Sequence, residues 1–239
     1  MSRQESIKEI LKIAIILLVT TAMSAAAVAA AQFALEVDRT HLYLDESLPE
    51  DTVVVRNKSN SPLFLRSSVQ GSGGASPAPV VVRPLGASIS PGDTAVIHVR
   101  LTDPVGEEES LFQLQLEWQL SSDSGTSRAP RQLNVPLLVH PMSLPRQVNP
   151  WLYIRFRMTV DGRLYVDNTG PYVLPVSPLL EFAPEKRAFG LPKALLLPHE
   201  SVFVSGVFPN LKSNAVSITP TDLSGKLLPK IELPLERGS

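Results

Sequence analysis

The sequence contains no cysteine among its 239 residues. This absence excludes disulfide bonds, cysteine nucleophiles and thiolate metal sites together. Aromatic residues are only 6% of the chain, and the formal net charge is −1. The basic surplus that is typical of nucleic-acid-binding proteins is therefore also missing. We expect no nucleic-acid partner.

Catalytic and metal-binding motifs are missing as well. The four histidines (His41, His98, His140 and His199) do not stand at metal-ligand spacing, and no HExxH motif occurs. The nearest text to a GxSxG nucleophile turn, residues 86–90, lacks the second glycine. The acidic run Glu107–Glu109 has no partner aspartates and is typical of a solvated loop. These patterns predict a protein that is not an enzyme, with no cofactor, no metal and no small-molecule substrate.

Apolar residues and proline are abundant instead. Hydrophobic residues make up 44% of the chain, which argues against disorder throughout. Proline occurs 22 times, about 9% of residues against a usual level of about 5%. Proline scattered at this density excludes long helices, because it removes a backbone donor and clashes with the preceding turn.

The first 31 residues have the composition of a secretory signal. Residues 1–12 include three basic side chains, and residues 13–31 carry no charge and end in an alanine-rich run. Ala29 and Ala31 fit the small residues that precede a cleavage site, so we predict cleavage after Ala31. The alternative is an uncleaved anchor, because an uncharged stretch of this length can just span a bilayer.

Beyond this segment the chain alternates apolar and polar residues in short runs, which predicts β-strands. Phe33–Leu44 is predicted as one strand, and the cleanest alternation lies in Thr94–Leu101, Ser110–Leu120 and Gln132–Val139. The proline-containing run at residues 140–150 is predicted to be a linker between domains. It divides the chain into domains at 32–145 and 146–239, each of a size that suits an immunoglobulin-like β-sandwich.

The first domain contains a series of short motifs in a definite order: Asp38–Thr40, Arg56–Asn57, Pro62–Leu65, Val81–Leu85, Ser90–Gly92, Val99–Leu101 and Glu109–Phe112. In these motifs and their order, the chain resembles the periplasmic chaperones of the chaperone–usher pathway for pilus assembly. In the second domain, Asp167–Tyr172 is similar to the family's N-P-T-P-Y turn, and Pro198 and Gly225 lie where a strand-entry proline and a late turn glycine are expected.

The resemblance implies an all-β fold of two immunoglobulin-like sandwiches in an L-shaped arrangement. It further implies a periplasmic protein that binds pilus or fimbrial subunits and delivers them to an outer-membrane usher. Such a chaperone lends an edge strand to a subunit that lacks its last strand, so main-chain hydrogen bonds supply affinity and alternate side chains fill pockets. Covering the groove also prevents edge-to-edge aggregation of subunits.

The family's donor strand is the last strand of domain one, here Gln132–Val139. We predict that Leu133, Val135 and Leu137 insert into the subunit groove, with ordinary packing inside domain one as the alternative. The family anchors the subunit's terminal carboxylate with an arginine and a lysine, but these positions hold His41 and Pro136 in this sequence.

The absence of this cation pair leaves other basic residues to bind the carboxylate. The candidate anchors are Arg39, His41, Arg131 and Arg100.

Two other functions stay open at this stage. The chain could be a two-domain periplasmic or surface scaffold of immunoglobulin-like domains that holds its partner by another surface. A hydrolase built on a β-sandwich is a third interpretation, although the sequence offers it no triad and no metal cluster.

Overall fold

The computed structural model describes residues 34–71, 79–121, 130–208 and 211–238. The predicted signal segment lies outside these residues. Strands dominate the described chain, and a short 3-10 helix spans Pro150–Tyr153. No helix within the described ranges is long and apolar enough to cross a membrane. The prediction of an all-β, two-domain fold is confirmed.

The first domain is a sandwich of a four-stranded and a five-stranded sheet. Their orders are β1-β3-β7-β5 and β2-β9-β8-β4-β6. The strands are β1 (Leu35–Val37), β2 (Leu42–Asp45), β3 (Glu50–Asn57), β4 (Leu63–Gly71), β5 (Val80–Arg83), β6 (Gly86–Ile89), β7 (Thr94–Leu101), β8 (Ser110–Leu120) and β9 (Arg131–His140).

The single strand predicted at Phe33–Leu44 is wrong, because the chain changes sheets there. β1 pairs antiparallel with β3, and β2 pairs parallel with β9 in the opposite sheet. Between them, the backbone N–H of Asp38 donates to the carbonyl of Val54 (3.1 Å), and the Asp38 carboxylate accepts from the N–H of Val54 (2.8 Å). The polar residues after β1 therefore break the strand and let the chain cross to the second sheet.

β8 is the central strand of the five-stranded sheet and crosses the whole domain. Phe112, Leu114, Leu116 and Trp118 point into the core, each at most 6% exposed. Leu111 lies on the other face of the sheet, because adjacent residues in one strand point to opposite faces. The inward period begins at Phe112.

The second domain combines a seven-stranded sheet, β14-β13-β17-β18-β10-β11-β16, with the two-stranded sheet β12-β15. Within it, β10 pairs parallel with β18, and β16 lies at one edge against β11. The strands are β10 (Ile154–Met158), β11 (Arg163–Asn168), β12 (Leu174–Pro175), β13 (Leu179–Ala183), β14 (Arg187–Gly190), β15 (Leu195–Leu196), β16 (Ser201–Val207), β17 (Ala215–Ile218) and β18 (Ile231–Arg237).

Two separate hydrophobic cores account for the two domains. One is built from residues between Leu35 and Val139, and the other from residues between Leu144 and Leu235. The predicted linker runs between them without a strand from 141 to 149. Leu144 already packs in the second core, and the domain limits 32–145 and 146–239 stay predictions.

Candidate functional site: the open edge of β9 and the cleft beside it

β9 has a partner on one side along its full length and on the other side along less than half of it. β8 pairs with β9 from Trp118↔Arg131 to Ser110↔Val139. β2 covers the other side only from Leu137 to His140. Among the described residues, no strand pairs with Gln132–Pro136 on that side. This half of β9 therefore presents an unpaired backbone edge, to which another chain can add a strand.

The apolar face of β9 is turned into its own domain. Val135 is 2% exposed and Leu137 is fully buried, and both belong to the first core. This burial favours the alternative of ordinary packing inside domain one for Val135 and Leu137, and their insertion into a subunit stays a prediction. Leu133 is only partly buried and packs against the margin of the same core. Its insertion stays a prediction.

The other face of β9 is polar along the open edge. Gln132 and Asn134 are exposed, and the Gln132 amide donates to the Asn134 side chain at 2.7 Å. Pro136 follows two residues later and is tolerated where its nitrogen faces away from a partner strand. Backbone N–H and C=O groups of residues two positions apart in a strand point to the same side. Since the Pro136 nitrogen faces the open side, Gln132 and Asn134 direct their backbone N–H and C=O groups toward the open edge as well.

A cleft of about 490 Å³ adjoins this edge where the two domains meet. Residues from β2, the end of β9, the linker and two segments of the second domain line it. The cleft residues used in the arguments below are His41, Tyr43, Glu109, His140, Arg146 and Trp151. The cleft is thus shared between the domains, and its shape depends on how they are held together.

Arg146, from the linker, places a cation at the cleft. Its Nη2 lies 2.6 Å from Asp45 Oδ2, and its guanidinium lies 6.0 Å from the centre of the Tyr43 ring. The Arg146 side chain is 69% exposed, whereas that of Asp45 is 6% exposed. The backbone N–H of Ser47 is the main cause that lowers the pKa of Asp45 to about 2, and Arg146 adds to it against the opposing effect of burial. Burial raises the pKa of Tyr43.

Glu109 joins the two domains at the floor of the cleft. Its Oε1 lies 2.9 Å from His140 Nδ1, and its Oε2 accepts the backbone N–H of Val173 at 2.8 Å. Its own N–H donates to the carbonyl of Pro171 at 2.9 Å. From the other side, the Tyr172 hydroxyl donates to the carbonyl of Pro145 at 2.6 Å. Glu109, which begins one family motif in the first domain, thus contacts the segment that follows the similar turn Asp167–Tyr172 in the second domain.

A buried asparagine shapes that turn in the second domain. Asn168 is 2% exposed. Its amide donates to the carbonyls of Tyr172 (2.7 Å) and Leu197 (2.8 Å), and its side-chain oxygen accepts the N–H of Gly170 at 3.1 Å. These bonds hold residues 168–172 as one rigid unit against the first domain.

The four predicted anchor residues lie in different places. His41 lines the cleft. Arg39 pairs with Asp51 at 2.6 Å, and Arg100 pairs with Glu50 at 3.2 Å, beside the four-stranded sheet. Arg131 begins β9 opposite Trp118. Arg39, Arg100 and Arg131 are not among the residues that line the cleft.

Sequence reasoning missed Arg146 and assigned Glu109 to a solvated loop. The loop assignment is wrong for Glu109, whose side chain is only 10% exposed. Glu109 ends the acidic run Glu107–Glu109 and also begins the family motif Glu109–Phe112. This overlap was the sequence signal that could have separated Glu109 from its solvated neighbours. Within the described ranges, no group of three or more His, Asp or Glu side chains is placed to hold a metal ion.

Comparison with known proteins identifies the first domain. Residues 34–145 match the family model of the pili and flagellar-assembly chaperone, PapD N-terminal domain. The N-terminal domain is thus similar to this chaperone family. The resemblance recognised in the sequence is confirmed.

Individual relatives are distant but extend over both domains. An uncharacterized fimbrial chaperone, YhcA of Escherichia coli K12, is 24% identical over 170 residues, which are 67% of this chain and 73% of that protein. The Pseudomonas aeruginosa CupB2 chaperone superposes with a TM-score of 0.66 at 18% identity, over 84% of this chain and 100% of that one.

A second solved structure is the SafB chaperone of Salmonella enterica, in complex with the SafA pilin. Its TM-score is 0.68 at 15% identity, over 85% of this chain and 97% of that one. At such identities these likenesses establish a shared two-domain chaperone fold.

Proposed function

We propose that this protein is a periplasmic chaperone that binds pilus or fimbrial subunits through the open edge of β9 and delivers them to an outer-membrane usher. The observation that carries the proposal is the open edge at Gln132–Pro136, which has no strand partner on this side among the described residues. It lies in a domain that is similar to the chaperone family and beside a cleft. A neighbouring structure was solved with a pilin bound, which supports the assignment of the partner.

The register of β2 suggests how a subunit strand is held. β2 runs parallel to β9 and begins at Leu42↔Leu137. A guest strand that pairs with Gln132–Pro136 in the same direction occupies the same row of the sheet, ahead of β2. Its carboxyl end then meets His41, at the cleft.

The cations near this position are His41 and Arg146, both of which line the cleft. We assign them the role of binding the subunit's terminal carboxylate, because a guanidinium can bind a carboxylate bidentately and a protonated imidazole offers N–H donors. Leu133 contributes an apolar contact at the core margin, where full burial of a leucine is worth about 1.5–3 kcal/mol.

The edge is tested by co-expressing the chain with candidate subunits and measuring the affinity of the purified complex. Asn134→Pro removes one outward N–H, and a net hydrogen bond of about 0.5–1.5 kcal/mol corresponds to about 2- to 12-fold weaker binding. Asn134→Ala is the matched control, because it removes the side chain but keeps the N–H. Equal affinity of the two variants contradicts strand addition at this edge.

The anchor is tested on the same complex. His41→Ala and Arg146→Ala are expected to weaken subunit binding. Arg39→Ala and Arg100→Ala remove cations that pair with Asp51 and Glu50 outside the cleft, and should leave binding unchanged. If Arg39→Ala and Arg100→Ala weaken binding while His41→Ala and Arg146→Ala do not, the subunit's terminal carboxylate binds beside the four-stranded sheet instead.

The scaffold function remains the second candidate, since Val135 and Leu137 are buried in the core of their own domain. It predicts a partner complex that survives every substitution on the β9 edge and is lost on changes elsewhere.

Delivery to the usher is tested separately, by whether the complex binds outer membranes from cells that produce the usher while the free subunit does not. Fractionation of a tagged chain and sequencing of its mature end test export and cleavage after Ala31.

A further inference from the structure

His140 is placed between two hydrogen-bond acceptors. Its Nδ1 lies 2.9 Å from Glu109 Oε1, and its Nε2 lies 2.9 Å from the carbonyl oxygen of Leu144. The side chains of His140 and Glu109 are 5% and 10% exposed, so water does not replace either contact. A neutral imidazole carries a single N–H and can satisfy only one acceptor, whereas the protonated ring donates to both.

Both acceptors connect the first domain to the second. Glu109 uses its other oxygen to accept the N–H of Val173 in the second domain (2.8 Å). Leu144 packs in the second hydrophobic core. His140 itself ends β9, the strand with the open edge. A single ring therefore ties β9 to the contacts that hold the second domain.

We propose that protonation of His140 couples the two domains, so that the cleft is held in one shape in acid and loosens as the pH rises. When the ring loses its proton, either Glu109 or the Leu144 carbonyl loses its donor in a nearly dry site. A buried acceptor without a donor is unfavourable, and relative movement of the domains lets water reach it. The coupling is therefore strongest where the ring is charged. This inference concerns the chain alone and does not depend on a bound subunit.

The other titratable or charged groups around the ring are Tyr43 and Asp45 on β2, Glu109 before β8, Arg146 in the linker, Tyr172 and Asp222 in the second domain, and His41, which lines the same cleft and is tested by its own variant below. Asp45, with its pKa lowered to about 2, stays ionised, and burial raises the pKa of both tyrosines, which stay neutral at physiological pH. Histidine is the residue type whose charge ordinarily changes between about pH 5 and about pH 8.

The test measures ring protonation and domain geometry on the same protein. Because the chain has no cysteine, Ser88→Cys and Lys212→Cys place one spin label in each domain at exposed positions. Nitrogen-15 NMR follows the His140 ring while the interdomain distance distribution is recorded across the pH range. We expect a narrow distribution while both ring nitrogens are protonated, and a loss of that narrow distribution with the same midpoint as His140 deprotonation.

Two variants and one control make the result decisive. Glu109→Gln keeps the volume, and its amide can donate to the unprotonated Nδ1 of a neutral ring while Nε2–H donates to Leu144, so the distribution should stay narrow at high pH, where the parent loses it. His140→Arg keeps donors and a permanent charge, and should keep the distribution narrow throughout. His41→Gln should behave as the parent. A distribution that ignores His140 titration, or that follows His41 instead, overturns the proposal; if His140→Arg does not fold, the comparison of parent with Glu109→Gln still decides it.

Discussion

Gly170 has no room for a side chain. A Cβ at this position would lie 2.4 Å from Cγ of Tyr153, whose ring is 5.7 Å from that of Tyr172 between centroids. Gly170→Ala should therefore push Tyr153 away from the domain junction and cost about 1–3 kcal/mol of unfolding free energy in urea titrations. Gly190→Ala is the matched control, because nothing lies within 4 Å of its Cβ position. Equal unfolding free energies for the two variants contradict this packing.

A second residue-scale prediction concerns acid stability. The pKa of Asp45 is lowered from 3.8 to about 2, so ionised Asp45 stabilises the fold above the ordinary value, and this contribution is lost as the pH falls through about 2. Asp45→Asn should lower stability at neutral pH and flatten its decline between about pH 4 and about pH 2. Urea unfolding at several pH values measures this slope. Asp103→Asn, at an exposed position, should retain the parent's slope; an unchanged slope for Asp45→Asn contradicts the assignment.

At the scale of the element, the two leucines of β9 should differ. Leu137 is fully buried, so Leu137→Ala should cost about 2–5 kcal/mol of unfolding free energy. Leu133 is only partly buried at the margin of the core, and Leu133→Ala should cost clearly less. Denaturant titration of both variants checks the order. Equal losses of unfolding free energy for the two variants would contradict this, because they would mean that Leu133 packs in the core as fully as Leu137.

The strands were predictable where alternation is clean, and their partners were not. Thr94–Leu101 and Ser110–Leu120 have the predicted limits, and Gln132–Val139 is one residue short at each end. The sheet change between β1 and β2 was missed, because a period of two continues on both sides of Asp38–Thr40. Alternation also revealed the inward face of β9 but not whose core it enters, since an apolar face suits its own domain and a groove in another chain equally well.

At the scale of the whole molecule, the junction should protect the linker from protease. Arg146 is the basic residue of the predicted linker, and Glu109 holds the neighbouring turn through Val173. Glu109→Ala should therefore speed trypsin cleavage after Arg146 and release two domain-sized fragments, seen by mass spectrometry. Glu108→Ala is the control, because it only removes an exposed pair with His199, and exposed pairs contribute about 0–1 kcal/mol. Equal cleavage rates would contradict the role of Glu109.

The site was predictable in part. The family phrases located Glu109 and the 168–172 turn, and His41 was named among the anchor candidates. Their meeting at one cleft could not be derived, because the contacts join residues more than 60 positions apart across two domains. Arg146 carries no signal beyond its charge, and its role depends on where the linker places it.

The parallel pairing of β2 with β9 constrains how the protein is made. Residues 42–45 acquire their sheet neighbours only from residues 137–140, nearly a hundred positions later. Because synthesis runs from the N-terminus, residues 42–45 remain without this strand partner until well over half the polypeptide has been made. A nascent chain arrested before residue 137 would lack this closure, so the first domain is completed late in synthesis.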